Sequence, residues 1–135
     1  MQLAKLPLLL HAIIEAAAAS SFILNPDSQL PNASVEARLI LRSYGGLLLS
    51  SSLLCILFYI RPGYDAATRI VTVAMGIYHV FPAGRAAVRI KHGAGLTGEQ
   101  ARVLGGPSLH FITHILCLAA FLVAGVFAST STVES

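Results

Sequence analysis

Apolar residues in this chain are gathered into four long blocks, at about positions 6–24, 38–60, 69–90 and 107–128, with polar segments between them. Each block holds roughly 19–23 residues, which at about 1.5 Å per helical residue crosses the roughly 30 Å of a bilayer's hydrocarbon. The pattern predicts an all-α protein, an integral membrane bundle of four transmembrane helices, with residues 1–135 forming a single domain.

The punctuation agrees with that division. Asn25-Pro26-Asp27-Ser28 stops the first block, Arg61-Pro62-Gly63 stops the second, and Pro107 suits the first turn of the fourth. Between Lys91 and Gly106 lie Gly93, Gly95, Gly98, Gly105 and Gly106, so this segment reads as a loop, with one helical turn expected at Gly98 to Val103. Pro82, inside the third block, predicts a kink. The first block has the lysine, apolar centre and Ala-rich end of a signal peptide. His11 and Glu15 serve no purpose in such a leader, and the block is read as a retained helix.

Composition changes the picture only by excluding alternatives. At 56% hydrophobic and 11% charged residues the chain lies far from the soluble balance, and its mean hydropathy is +0.75. A formal charge of +3 could signal nucleic acid, but the basic residues sit at block ends, with no basic run, so nucleic-acid binding is not expected. Cys55 and Cys117 each lie inside an apolar block without a C-x-x-C partner, which argues against a disulfide framework. Lys5, Arg61 and Arg69 fall on the side of the termini, and Arg38, Arg42, Arg85, Arg89, Lys91 and Arg102 on the other. The positive-inside bias places the two longer loops in the cytosol. The sequon Asn32-Ala33-Ser34 points the other way, since glycosylation needs a lumenal loop. The endoplasmic reticulum and the plasma membrane both fit.

Ionisable side chains inside hydrocarbon cost about 2.5–3.5 kcal/mol on insertion scales, so they turn to the bundle interior and find partners. Depth from the helix ends places Glu15, His79, Arg42, Tyr44, Arg85, His110 and His114 in one layer fed by all four helices. His11 and Glu15 are four apart, as are His110 and His114, so each pair follows one helix face. Tyr78 and Arg85 share one face of the third helix and His79 another. The functional reading is a pocket of Glu15, His79, His110 and His114, with Arg42 or Arg85 as counter-charge and Tyr44 or Tyr78 as donor, capable of acid/base work. The competing reading is a set of interhelical hydrogen bonds that specifies packing. His11, Glu15, His110 and His114 could also supply N/O ligands to zinc or iron if a gap in depth between His11 and His110 closed, and His79 and His114 could bracket a haem. The sequence assigns no metal and leaves any cofactor unknown.

Arg42-Ser43-Tyr44-Gly45-Gly46-Leu47-Leu48-Leu49 and Gly84-Arg85, with Gly93 soon after, resemble segments of the small four-helix membrane proteins called DoxX-like. The first helix followed by an Asn-Pro loop is similar to their layout. The resemblance implies a four-helix membrane fold and no particular activity; the His110/His114 pair has no counterpart in its pattern.

Two functions follow as expectations. In the first, the bundle binds a lipophilic small molecule and converts it by acid/base chemistry such as isomerisation or cyclisation, with Glu15 as general acid or base and His110 and His114 as proton partners. In the second, the chain is an accessory or structural subunit whose Gly45, Gly46 and Ser50 to Ser52 pack against a larger membrane protein. Whether it is an enzyme is left open.

Overall fold

The computed structural model describes residues 3–93 and 106–129, and among these the secondary structure is entirely helical. A 3₁₀ turn, Leu3–Lys5, leads into α1 (Leu6–Leu24), followed by a short α2 (Pro26–Gln29), α3 (Val35–Ile60), α4 (Ala66–Lys91) and α5 (Gly106–Phe127). The helical turn expected at Gly98 to Val103 lies outside the described residues.

Local chemistry explains the helix ends. α3 begins at Val35, three residues ahead of the apolar block, because Ser34 caps it: the Ser34 hydroxyl accepts from the Ala37 N–H at 3.2 Å. The serine of the sequon is thus a helix cap, and Asn32 before it takes the left-handed conformation at φ 59°. α4 begins at Ala66 because Asp65 accepts from the Thr68 N–H at 2.8 Å and from the Thr68 hydroxyl at 2.7 Å. Those two bonds hold the Asp65 carboxyl below the usual carboxylate range, with Arg61 at 2.6 Å adding to the effect. The stretch after Asn25, read from sequence as a turn, forms α2, and its Asp27 pairs with Arg38 at 2.8 Å. α4 continues through Pro82, whose missing N–H leaves the Tyr78 carbonyl without its usual helical donor.

The long helices pack as two tight pairs, α1 with α3 and α4 with α5, and the pairs meet less closely. Small residues permit the tight contacts. A Cβ on Gly45 would lie 2.7 Å from Ile23 Cγ1 and 2.9 Å from Phe22 Cβ, and one on Gly125 would lie 2.9 Å from Val73 Cγ2. Large and polar side chains fill the wider space between the pairs: Phe121, His11 and His79 are fully buried there. At the end carrying the first residues, Lys5 donates to the Arg61 carbonyl, Arg69 to the Ala128 carbonyl and Tyr64 to the Ala124 carbonyl.

Three segments, Leu3–Leu24, Val35–Ile60 and Gly106–Phe127, are long and apolar enough to cross a membrane. α4 matches α3 in length but carries Arg69, Arg85, Arg89 and Lys91. The outer surface of the bundle is apolar, with Ile13, Leu47, Leu57, Ile77, Phe81 and Val126 all more than half exposed, while His11, Glu15, His79 and His114 are buried. Polar inside and apolar outside reverses the arrangement that water imposes.

Candidate functional site

The buried polar groups converge because each helix turns one polar stripe inward. α1 contributes His11 and, one turn on, Glu15; α3 contributes Ser51 and Tyr44; α4 contributes His79 and Tyr78; α5 contributes His114 and His110. His11 Nδ1 lies 3.1 Å from His79 Nε2, and His79 Nδ1 lies 2.8 Å from His114 Nδ1. The far nitrogen of His11, Nε2, meets the Ser51 hydroxyl at 3.2 Å. Three histidines from three helices therefore form one hydrogen-bonded chain ending on a serine of the fourth.

Aromatic rings fix these imidazoles in place. Phe121 stacks on His79 at 5.5 Å between centroids and 27° between planes, and meets His11 edge-on at 5.8 Å. Tyr78 meets His11 edge-on at 5.4 Å, and its hydroxyl is 3.4 Å from that of Tyr44.

Glu15 sits beside this chain, 2% exposed. Its Oε1 is 4.0 Å from His114 Nδ1, close enough for charge interaction and too long for a direct hydrogen bond, and among the described residues it has no hydrogen-bond partner. The Tyr78 phenol faces the same carboxyl. A groove of about 410 Å³ opens between α1 and α5, walled by Ile13, Ala17, Leu109 and Thr113, with Glu15, His110 and His114 as its ionisable lining. An apolar groove with a few convergent polar groups is the usual form of a small-molecule site.

The structure separates the residues that depth alone had grouped. Glu15, His11, His79 and His114 are buried together, and Tyr44 and Tyr78 join them half-buried. His110 is half-buried at the groove, its ring 5.2 Å from that of His114, and takes no part in the imidazole chain. Arg42 and Arg85 are exposed. Arg85 lies over the Phe22 ring at 6.0 Å, and the basic group within 4.0 Å of Glu15 is a histidine rather than either arginine. The ligand grouping shifts as well: His11, Glu15 and His79 bring their ligand atoms within 4.8 Å of one another, in place of the set expected from His11/Glu15 and His110/His114. At 2.8 Å apart, His79 and His114 leave no room for haem iron between them. Ser51 reads from the sequence only as one of a run of small packing residues, and Phe121 is not singled out, because a serine in a serine run and a phenylalanine in an apolar block carry no signal of a polar centre.

The fold and cluster together define a class: an all-helical chain with an apolar exterior, three segments fit to cross a membrane and a buried imidazole–carboxyl centre. Compared with known proteins, the chain matches no family model, no curated protein and no solved structure.

Proposed function

We propose that this is a multi-pass membrane protein of four spans that binds a lipophilic small molecule in the α1/α5 groove and moves a proton on it through Glu15 and His114. The observation that carries the reading is Glu15. It is a buried carboxyl with one oxygen unpartnered among the described residues, on the lining of a groove whose walls are apolar. An unsatisfied buried polar atom costs about 1–3 kcal/mol, and a ligand hydroxyl reaching the groove floor and donating to it would recover that cost. The adjacent imidazole supplies a proton-exchange partner for acid/base chemistry such as isomerisation or cyclisation.

The fourth span is supported by the two faces of α4. Thr72, Gly76 and His79 turn inward, whereas Ile70, Ile77, Phe81 and Val88 are exposed, and the basic residues cluster near its ends where long side chains reach the interface. With 26 residues it extends about 39 Å, sufficient for the hydrocarbon layer. The basic bias toward Arg38, Arg42, Arg85, Arg89 and Lys91 supports a cytosolic placement of that end.

Native mass spectrometry in mild detergent tests the binding reading. A small lipophilic adduct is expected on the wild type and on Ile77→Trp, which alters only the outer face of α4. It is expected to be lost from Ala17→Trp, which fills the groove. An adduct that survives Ala17→Trp, or none in any sample, sinks the proposal. A second reading, an accessory subunit, has its own support: among the described residues a Cβ on Gly46 would meet nothing within 4 Å, which leaves room there for another helix. Loss of a co-purifying protein in Gly46→Leu, with no small-molecule adduct, would favour it.

A further inference from the structure

The three-histidine chain has a direction, and one hydroxyl sets it. The Ser51 hydroxyl has a single proton, and that proton is donated to the Leu48 carbonyl at 2.8 Å, since a carbonyl can only accept. Toward His11 Nε2, 3.2 Å away, Ser51 Oγ must therefore act as acceptor, so His11 carries its proton on Nε2. A neutral imidazole has one donor and one acceptor, which leaves His11 Nδ1 as a lone pair. It accepts from His79 Nε2 at 3.1 Å, and His79 Nδ1 in turn accepts from His114 Nδ1 at 2.8 Å. With all three rings neutral, the one ring nitrogen left as an unprotonated, unbonded acceptor is His114 Nε2. The hydrogen bonds of His114 among the described residues run through Nδ1, and His114 is one of the residues lining the groove.

We propose that His114 Nε2 is the proton acceptor of the groove, and that Ser51, His11 and His79 are positioning residues that hold His114 in its Nδ1–H tautomer. This deepens the proposed function and rests on it for the identity of the site. The chemistry balances without a co-reactant. A C–H or O–H bond of the lipophile breaks, its proton joins His114 Nε2, and the electron pair stays on the ligand. The imidazolium keeps its Nδ1–H bond to His79, with the Glu15 carboxyl at 4.0 Å as counter-charge. Return of the same proton to another atom of the ligand completes an isomerisation and restores the neutral chain. The ligand class is accordingly an apolar molecule with an acidifying carbonyl or double bond next to the proton that moves. A cation held by His11, Glu15 and His79 would compete for lone pairs that the chain already uses.

The test is ¹⁵N NMR of histidine-labelled full-length protein in detergent micelles, with a diazirine-bearing oleyl alcohol as groove probe. In the wild type His114 Nε2 is expected to give an imine-type signal and Nδ1 a pyrrole-type signal, with the reverse assignment at His11 and His79. Ser51→Ala removes the acceptor that sets the direction, so the two directions of the chain become comparable and the His114 imine-type Nε2 signal should fall by about twofold or more. Ser51→Thr, which keeps the hydroxyl, should restore it. A merely structural serine would alter stability without inverting tautomers on three helices. A protonated Nε2 at His114 in the wild type, an unchanged signal in Ser51→Ala, or histidine signals moved by a bound metal each overturn the inference. Probe cross-linking keeps the two claims apart: expected tautomers without labelling of α1 and α5 would remove the groove reading, whereas labelling with the wrong tautomers would remove this one.

Discussion

Gly45 and Gly46 are neighbours on α3, and the structure gives them opposite fates. At Gly45 an added Cβ would sit 2.7 Å from Ile23 Cγ1, 2.9 Å from Phe22 Cβ and 3.1 Å from the Ala19 carbonyl oxygen. Carbon atoms pack best at about 3.5–4.0 Å, so even a methyl group must open the Phe22 contact by about 0.6 Å. Ile23 can rotate away. The Phe22 Cβ and the Ala19 carbonyl belong to the α1 backbone or its first atom and cannot, so α1 itself must shift against α3. Overpacking of that kind costs about 1–3 kcal/mol, or about five- to 150-fold in the folding equilibrium. At Gly46 nothing lies within 4 Å, and alanine there relieves the weak helix propensity of glycine, worth up to about 1 kcal/mol. The pair should therefore be assayed together by reversible SDS unfolding in mixed micelles. Gly45→Ala is expected to unfold at a lower SDS fraction than wild type, and Gly46→Ala at the same or a higher one. Equal behaviour of the two variants would show that α1 and α3 do not pack through Gly45, and the close α1/α3 pair would have to be abandoned.

Phe121→Ala removes the ring stacked on His79 and in edge contact with His11, and the cavity should cost about 3–5 kcal/mol in the same unfolding assay; a loss below about 1 kcal/mol would mean that this ring is not in the core. Asp65 makes an acid-sensitive cap: its folded pKa is depressed by the Thr68 bonds, so its contribution is present above the ordinary value of 3.8 and is lost as pH falls through the lower folded value. Asp65→Ala should lower stability at neutral pH and shrink the loss seen on acidification below about pH 4, and an unchanged acid profile would count against the cap. For the proposed orientation, Pro31→Cys should resist an impermeant thiol reagent on intact cells while Pro62→Cys reacts, and Asn32 should carry no glycan; the reverse labelling would overturn that orientation.

Block length and punctuation alone carried the helical reading, because a run of apolar residues of that length has few alternatives and because capping and turn residues act on their immediate neighbours. Asp65 and Ser34 mark helix starts through bonds only three residues long, visible in any sequence that contains them. Depth along a helix was legible for the same reason, since rise per residue is constant, and it brought Glu15, His79 and His114 to one level. Azimuth was not. Tyr78 and His79 are adjacent in sequence and point about 100° apart, so which of them enters the core depends on how α4 is rotated against α5, a quantity set by Gly76 and Gly125 meeting Phe121 and Val73. The arginines illustrate the same limit. Depth made Arg42 and Arg85 natural counter-charges for Glu15, yet long flexible side chains can leave the core at small cost, and both are exposed while a shorter, stiffer histidine stays beside the carboxyl. The imidazole chain depends on His11, Ser51, His79 and His114 meeting from four helices within hydrogen-bond distance. No local rule encodes that meeting, and its direction, decided by whether a serine proton goes to Leu48 or to a histidine, exists only in the folded bundle.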